Sequence, residues 1–215
     1  MSCVIILGCY RSGTSAIAGL LNQIIFMGSQ FDEPNENNKK GYFEDVSLKY
    51  YHQIFDESFP PEESVLSSYK DLIKEYDKKS IWGIKDPLLC KYLNLFDDSL
   101  NSDSKIIVCR RDKKQISASM SKSTDQDDPL KFIPIVEFLL DKMESQLIEY
   151  KSKYADYENR ILEINYKDVL ANTFALTAKI LLHIGFIPKI DGNEESIKKI
   201  SEFIEPINSI SCEQQ

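Results

Sequence analysis

The stretch VIILGCYRSGTSAIAGLLNQ, residues 4–23, decides how the rest of the chain is read. Four apolar residues run into Gly8, Gly13 follows five positions later, and Thr14 and Ser15 come next. The apolar run from Cys3 to Leu7 predicts a buried strand. Ile17, Leu20, Leu21, Ile24 and Ile25 then keep the i, i+3, i+4, i+7, i+8 spacing of a helix. The glycine-bounded turn between them fits the phosphate-loop pattern G-x-x-x-x-G-K-[ST] everywhere but one place: Thr14 stands where the lysine belongs. The glycines let backbone N–H groups curl around an oxyanion, and the helix adds the positive end of its dipole. Neither effect requires the lysine. Arg11, inside the loop, offers a planar fork of donors instead, and Thr14 and Ser15 can add hydroxyls. The bland alternative is a glycine turn with a surface arginine.

The alternation of strand and helix continues outward from this unit. DEPNENNKKG (32–41) reads as loop, and YFEDVSLKYYHQIF (42–55) as helix, closed by Pro60 and Pro61. IWGIKDP (81–87) is a short strand ending in a charged turn; KIIVCRRD (105–112) is a buried strand, with QISASMSK (115–122) helical after it. STDQDDP (123–129) is loop and Phe132 to Tyr154 a long helix. RILEINY (160–166) is another strand, and Val169 to Ile184 an apolar helix ended by Gly185. Such alternation predicts an α/β fold, a three-layer α/β/α arrangement with a central, mostly parallel sheet. Ligands of such sheets bind beyond the carboxyl ends of the strands. The polar clusters Tyr10–Ser15, Lys85–Asp86 and Arg110–Asp112 each lie just after a strand, so their convergence on one site is expected.

In CRRDKKQISASMSK, Arg111 ends a strand and Ser119 comes eight residues later. Eight helical residues rise about 12 Å, and with Arg111 still in the turn the gap shrinks enough for both to meet one phosphate. Arg110 points to the opposite side if it keeps strand geometry.

At 215 residues, with 42% hydrophobic and 28% charged residues, the chain suits one domain, 1–215. Its net charge of −8 argues against a broad basic surface for nucleic acid, though not against a local basic pocket. The five cysteines (Cys3, Cys9, Cys90, Cys109, Cys212) are scattered without a C-x-x-C pair, so neither a disulfide framework nor a zinc site is expected. No basic leader precedes the first apolar run and Arg11 interrupts it. The expectation is a protein without signal peptide or membrane span, in the cytoplasm.

Six segments resemble the sulfotransferases that use 3′-phosphoadenosine 5′-phosphosulfate (PAPS), with the closest likeness to the bacterial and protein-tyrosine-type branch and its R-S-G-T-[ST] loop. GCYRSGTS (8–15) resembles the family's 5′-phosphosulfate loop, where arginine replaces the kinase lysine, and Arg111-x7-Ser119 its 3′-phosphate motif. GYFED (41–45) resembles the segment that places a catalytic glutamate. WGIKDP (82–87) resembles the K-D-P turn, and INYKDVLANTFALTAKILLHIGF (164–186) the strand–Tyr–helix segment. FIEPINSISCEQQ (203–215) resembles the C-terminal F-I-x-P stretch of bacterial members, without the arginines often found after it.

The resemblance implies a P-loop nucleotide-hydrolase-like fold and transfer of a sulfuryl group from PAPS to an acceptor hydroxyl on a small molecule or sugar. Adenosine 3′,5′-bisphosphate is the product, and no metal is required. It implies that Arg11, Ser12, Gly13, Thr14, Ser15, Arg111, Ser119 and Tyr166 bind the nucleotide, Tyr166 near the adenine unless it is a core aromatic. Arg11 and Lys85 stabilise the leaving phosphate, and Glu44 is the base, with Asp45 and His52 as alternatives. Trp82 and the tyrosines at 10, 42, 50 and 51 are candidates for the acceptor cleft or for core, and His183 is expected to be structural. Two other readings stay open: a P-loop kinase of small molecules or nucleotides without the usual lysine, and a non-catalytic nucleotide-binding relative.

Overall fold

The structure is a computed structural model that describes residues 2–100, 103–186 and 193–204. Its centre is a sheet of four parallel strands, β1 (Ser2–Leu7), β2 (Ile81–Lys85), β3 (Asp103–Arg110) and β4 (Ile161–Asn165), in the order β2-β1-β3-β4. Register pairs Ile6 with Lys85 on one side, and Leu7 with Val108 on the other. Alternation along β1 divides the core. Cys3, Ile5 and Leu7 join Trp82, Ile84, Ile106 and Val108 beneath one helical layer, whereas Val4 and Ile6 join Ile107, Cys109, Leu162 and Ile164 beneath the other. The first layer contains α2 (Val46–Glu57), α3 (Glu63–Tyr76), α4 (Leu89–Asp97) and α6 (Ile133–Lys153); the second contains α1 (Thr14–Leu21), α9 (Thr173–His183) and α10 (Asn193–Ser201). Helix α5 (Lys113–Ser123) follows β3, and the short α7 (Tyr157–Arg160) and α8 (Tyr166–Ala171) bracket β4. This is the expected three-layer α/β/α arrangement.

Several elements differ from the expectation. Helix α1 ends at Leu21, so Ile24 and Ile25 lie outside it. The chain there runs along the edge of β2, where the Gly83 N–H donates to Phe26 O at 2.8 Å. Ile25 and Met27 are buried against Gly83 without being helical. The helix expected over 169–184 is two helices, broken where the Asn172 side chain accepts from the Ala175 N–H at 2.9 Å and caps α9. Helix α2 starts at Val46, leaving Tyr42–Asp45 non-helical before it. Helices α3, α4 and α10 were not anticipated from the sequence. The four described cysteines are buried and unpaired; Cys212 and the 205–215 part of the C-terminal stretch lie outside the described residues.

Asp45 fixes the start of α2. Oδ1 accepts from the Leu48 N–H at 3.0 Å, and Oδ2 accepts from the Ser29 N–H at 2.8 Å and the Tyr76 hydroxyl at 2.9 Å. One carboxylate thus ties the long loop before α2 to the end of α3. Asp45→Ala is expected to lower stability by about 3 kcal/mol, a lost cap plus buried donors left without a partner, measured as a fall in urea midpoint.

Candidate active site

The turn from β1 into α1 is built on two glycines and one strained arginine. A Cβ on Gly8 would come within 2.5 Å of Ser12 Oγ and 3.1 Å of the Cys109 carbonyl at the end of β3. Gly13, at φ 98°, precedes α1, and a Cβ there would meet the Tyr166 ring at 2.5 Å. Arg11 sits between them at φ 62°, a left-handed conformation that costs a non-glycine residue about 1–2 kcal/mol. Ser12 closes the turn: its hydroxyl donates to Cys9 O at 2.6 Å and its N–H to the same oxygen at 3.2 Å. Thr14, in the lysine's place, is buried as the first residue of α1. The first N–H groups of α1 have no partner within the helix and face the loop.

Arg111 and Ser119 converge on Arg11. The Arg11 Nε donates to Ser119 Oγ at 3.0 Å, and Arg111 Nη1 donates to the Arg11 carbonyl at 2.8 Å. The Arg111 guanidinium lies 4.1 Å above the centre of the Tyr166 ring, the same ring that packs on Gly13. Burial lowers the Arg111 pKa and the neighbouring Arg11 charge lowers it further, against an opposing pull from Tyr166. Its Nε is buried without a hydrogen-bond partner among the described residues, a donor suited to an anion at this point. Arg110 turns outward to Glu144 and to Glu163, 3.1 Å away, as strand alternation requires. Beside Arg111 opens a cleft of about 420 Å³, lined among others by Gln115, Asn165, Tyr166 and Lys167, a size suited to a small-molecule ligand.

On the other side of the loop, Lys85 ends β2 and its ammonium lies 2.5 Å from Glu44 Oε1, with 3% of the lysine side chain exposed. Lys49 reaches Glu44 Oε2 at 3.6 Å and Asp32 at 2.5 Å. Phe43 holds φ 55°, so the residue before Glu44 is also left-handed. The Tyr10 phenol, pushed up to about 12 by burial and then by Asp86 and Glu44, keeps its proton and borders this pair. The Tyr42 ring centre lies 6.0 Å from the Lys85 ammonium.

Among the alternative bases, Asp45 is fully engaged as a cap. His52 has no exposed surface and hydrogen-bonds Asp86 and Tyr69. Trp82 is core, donating to Asp77 Oδ1 at 2.9 Å, and Tyr51 packs on the buried Tyr69. Tyr50 is 59% exposed on α2. His183, at the end of α9, is half-buried, its pKa lowered by burial and then by Lys105. The sequence reading missed Lys49 beside Glu44, and Asn37. The Asn37 carbonyl accepts from Arg11 Nη1 at 3.4 Å, and its amide donates to Ser123 O at 2.9 Å. Neither had a usable signal: Lys49 follows Glu44 by five positions, off the i+3 and i+4 spacing of helical neighbours, and Asn37 lies in an irregular loop. Among the described residues no three His, Cys, Asp or Glu side chains are grouped to hold a metal ion, and no helix is long and apolar enough to cross a membrane.

A parallel sheet with a phosphate-type loop after its central strand defines the class: a P-loop-like α/β/α fold. Sulfotransferase domains have this fold. The sulfotransferase STF9 from Mycobacterium avium aligns with TM-score 0.60 at 13% identity, over 91% of this chain and 66% of that one. The sulfotransferase domain of the Synechococcus PCC 7002 olefin synthase aligns with TM-score 0.56 at 14% identity, over 90% and 76%. The sulfotransferase domain of the curacin biosynthetic pathway aligns with TM-score 0.51 at 14% identity, over 89% and 75%. No family model and no curated protein matches the sequence. Likeness at these identities speaks for the fold.

The contact between Gly13 and Tyr166 is open to direct test. Gly13→Ala is expected to cost about 1–3 kcal/mol through left-handed strain and the clash with the ring. Adding Tyr166→Ala removes the clash and leaves the strain. Unfolding curves of single and double variants should therefore show non-additive losses.

Proposed function

We propose that the protein is a PAPS-dependent sulfotransferase that moves a sulfuryl group to the hydroxyl of a small-molecule or sugar acceptor. One observation carries the reading: a phosphate loop lacking its lysine is flanked, at one edge of one sheet, by the Arg11–Ser119–Arg111 cluster and by the Glu44–Lys85 pair. The residues fit the nucleotide. Loop amides and Ser12–Ser15 hold the 5′ end, Arg111, through its unpartnered buried Nε, and Ser119 hold the 3′-phosphate, and Tyr166 lines the cleft for the base. The R-S-G-T-S form of the loop supports the bacterial branch. Four buried, unpaired cysteines accord with a cytoplasmic site of action.

When bound, PAPS supplies the sulfuryl group, and adenosine 3′,5′-bisphosphate is what leaves. Arg11 and Lys85 stabilise the charge that grows on the leaving phosphate, preorganised before the reaction starts. Lys85 has three donors, so it can keep Glu44 on one and offer the others. Glu44, held between Lys85 and Lys49, accepts the proton of the attacking hydroxyl. Tyr10 and Tyr42 border the acceptor.

Thermal shift with a small ligand panel tests the reading. Adenosine 3′,5′-bisphosphate is expected to raise the melting temperature more than AMP or ATP with magnesium; at a hundred times Kd the stabilisation is about 2.7 kcal/mol. A larger shift with ATP and magnesium would overturn it in favour of a kinase. For turnover, Arg11→Ala and Lys85→Met are each expected to lower kcat by about 10²–10³-fold, and Glu44→Gln by about 10²–10⁴-fold. Initial rates of sulfuryl transfer to a panel of alcohols, phenols and sugars measure these losses.

A further inference from the structure

Behind the Glu44–Lys85 pair lies a buried chain of three polar side chains that the proposed chemistry does not use. His52, on α2, has no exposed surface; its Nδ1 is 2.7 Å from Asp86 Oδ2 and its Nε2 2.9 Å from the Tyr69 hydroxyl on α3. The second Asp86 oxygen accepts the Leu88 N–H at 2.9 Å. Asp86 precedes Pro87, which confines its backbone to extended conformations. Burial pushes the Asp86 pKa up, but the His52 ring, the Leu88 N–H and Lys85 outweigh burial and hold it below the ordinary value. Burial pushes the Tyr69 phenol up, so it keeps its proton. A carboxylate only accepts. His52 Nδ1–H therefore donates to Asp86, and the Tyr69 hydroxyl bonds Nε2 from the other side. Both ring nitrogens are satisfied, and the ring orientation is set from two sides.

The position of this chain connects it to the site. Along β2, Trp82 and Ile84 face the layer of α2, α3 and α4, while Gly83 faces Ile25 and Met27 in the opposite layer. Lys85 and Asp86 continue that alternation and leave the strand on opposite sides. The segment from Glu44 to His52 reaches both of them. Glu44, just before the α2 cap, pairs with Lys85; His52, eight residues on, binds Asp86. The His52–Asp86 and Glu44–Lys85 contacts therefore join the same two chain segments, 44–52 and 85–86.

We propose that Asp86, His52 and Tyr69 form a positioning relay that sets the Lys85 ammonium against Glu44. The relay touches neither nucleotide nor acceptor. Its kinetic consequence rests on the proposed function; its existence does not.

The full chain carries the test. Tyr69→Phe deletes one hydroxyl and keeps the ring packed against Phe55, 5.0 Å away between centres. It is expected to lower kcat for sulfate transfer about 10-fold, and His52→Leu about 100-fold, as for a misplaced reacting group. The KM for PAPS and the affinity for adenosine 3′,5′-bisphosphate should stay within about twofold of the parent, because the loop and Arg111 are untouched. His52→Asn, whose amide can still donate to Asp86, should recover part of what His52→Leu loses. A folded His52→Leu or Tyr69→Phe protein with unchanged kcat, or with nucleotide affinity falling in step with kcat, overturns the relay. A second measurement needs no turnover. In a double-mutant cycle of His52→Leu and Lys85→Met, read by urea unfolding, the relay predicts coupling of at least about threefold in the unfolding constant. Coupling below about threefold overturns it, since independent sites add to within about twofold in that constant. If the parent protein transfers no sulfate, the proposed function falls, and the cycle alone decides the relay.

Discussion

Parallel pairing of β1 on both of its edges is the constraint from which the site follows. Residues Cys3 to Leu7 have no exposed surface, so β1 can neither slide nor tilt without disturbing both helical layers. With β2 on one side and β3 on the other, all in the same direction, three chain segments leave the sheet at one edge. The strand order reverses between β1 and β3, which opens a crevice at the carboxyl ends of that pair. Lys85 and Arg111 arrive on either side of Gly8–Gly13 because their strands pair with β1. Gly8 is a glycine for the same reason: the end of β3 stands too close for a side chain.

Within an acidic chain the cations of this edge are held one by one. Arg11 is fixed by a left-handed backbone, by Ser119 and by the carbonyl bond from Arg111; Arg111 by stacking on Tyr166; Lys85 by Glu44. Elsewhere basic side chains are neutralised at the surface, as Lys91 is by Asp56 and Lys113 by Glu137. Surface pairs of that kind contribute little and are screened by salt. The half-buried Arg11–Arg111 neighbours are screened less. Their mutual repulsion is opposed by the bond from Arg111 to the Arg11 carbonyl, by the Arg11–Ser119 bond and by the stacking of Arg111 on Tyr166. Net charge, a sum over the surface, carries no information about so local a field.

The parts of this design that follow a period were legible in the sequence. All four strands, the loop and the long α6 were read because an apolar run or a 3.6-residue repeat marks each one. The end of α1 was misread, because Ile24 and Ile25 are apolar for another purpose: they lead into a segment lying along β2. Apolar spacing alone does not separate a helix from a short buried extended run. Asn172 hides its break in the same way, since a capping residue inside an apolar stretch leaves the repeat intact. Helix α3 carries Val65, Leu66, Tyr69, Leu72, Ile73 and Tyr76 on one face against the core, a repeat that stands in the sequence and was missed. At the site, the pairing of Glu44 with Lys85 spans 41 positions, and nothing in local pattern connects them. Three-dimensional closure of the sheet does.

That difference also accounts for a fold shared at 13–14% identity with sulfotransferase domains while no family model matches the sequence. The positions that build the three layers, such as Val4, Ile6, Ile107 and Leu162, need only be apolar and of suitable volume. They can be exchanged among Val, Ile, Leu and Met with small cost, so identity drains away from the core while the layers persist. Backbone constraints that admit one residue type are few and short, among them Gly8 under the end of β3 and Gly13 against Tyr166. Together they occupy a small fraction of the chain. A comparison that weights all positions is dominated by the exchangeable majority, whereas superposed backbones are insensitive to which apolar residue fills a layer. Geometry therefore outlasts identity in this protein, and among the few positions fixed by the backbone are Gly8 and Gly13 of the loop after β1.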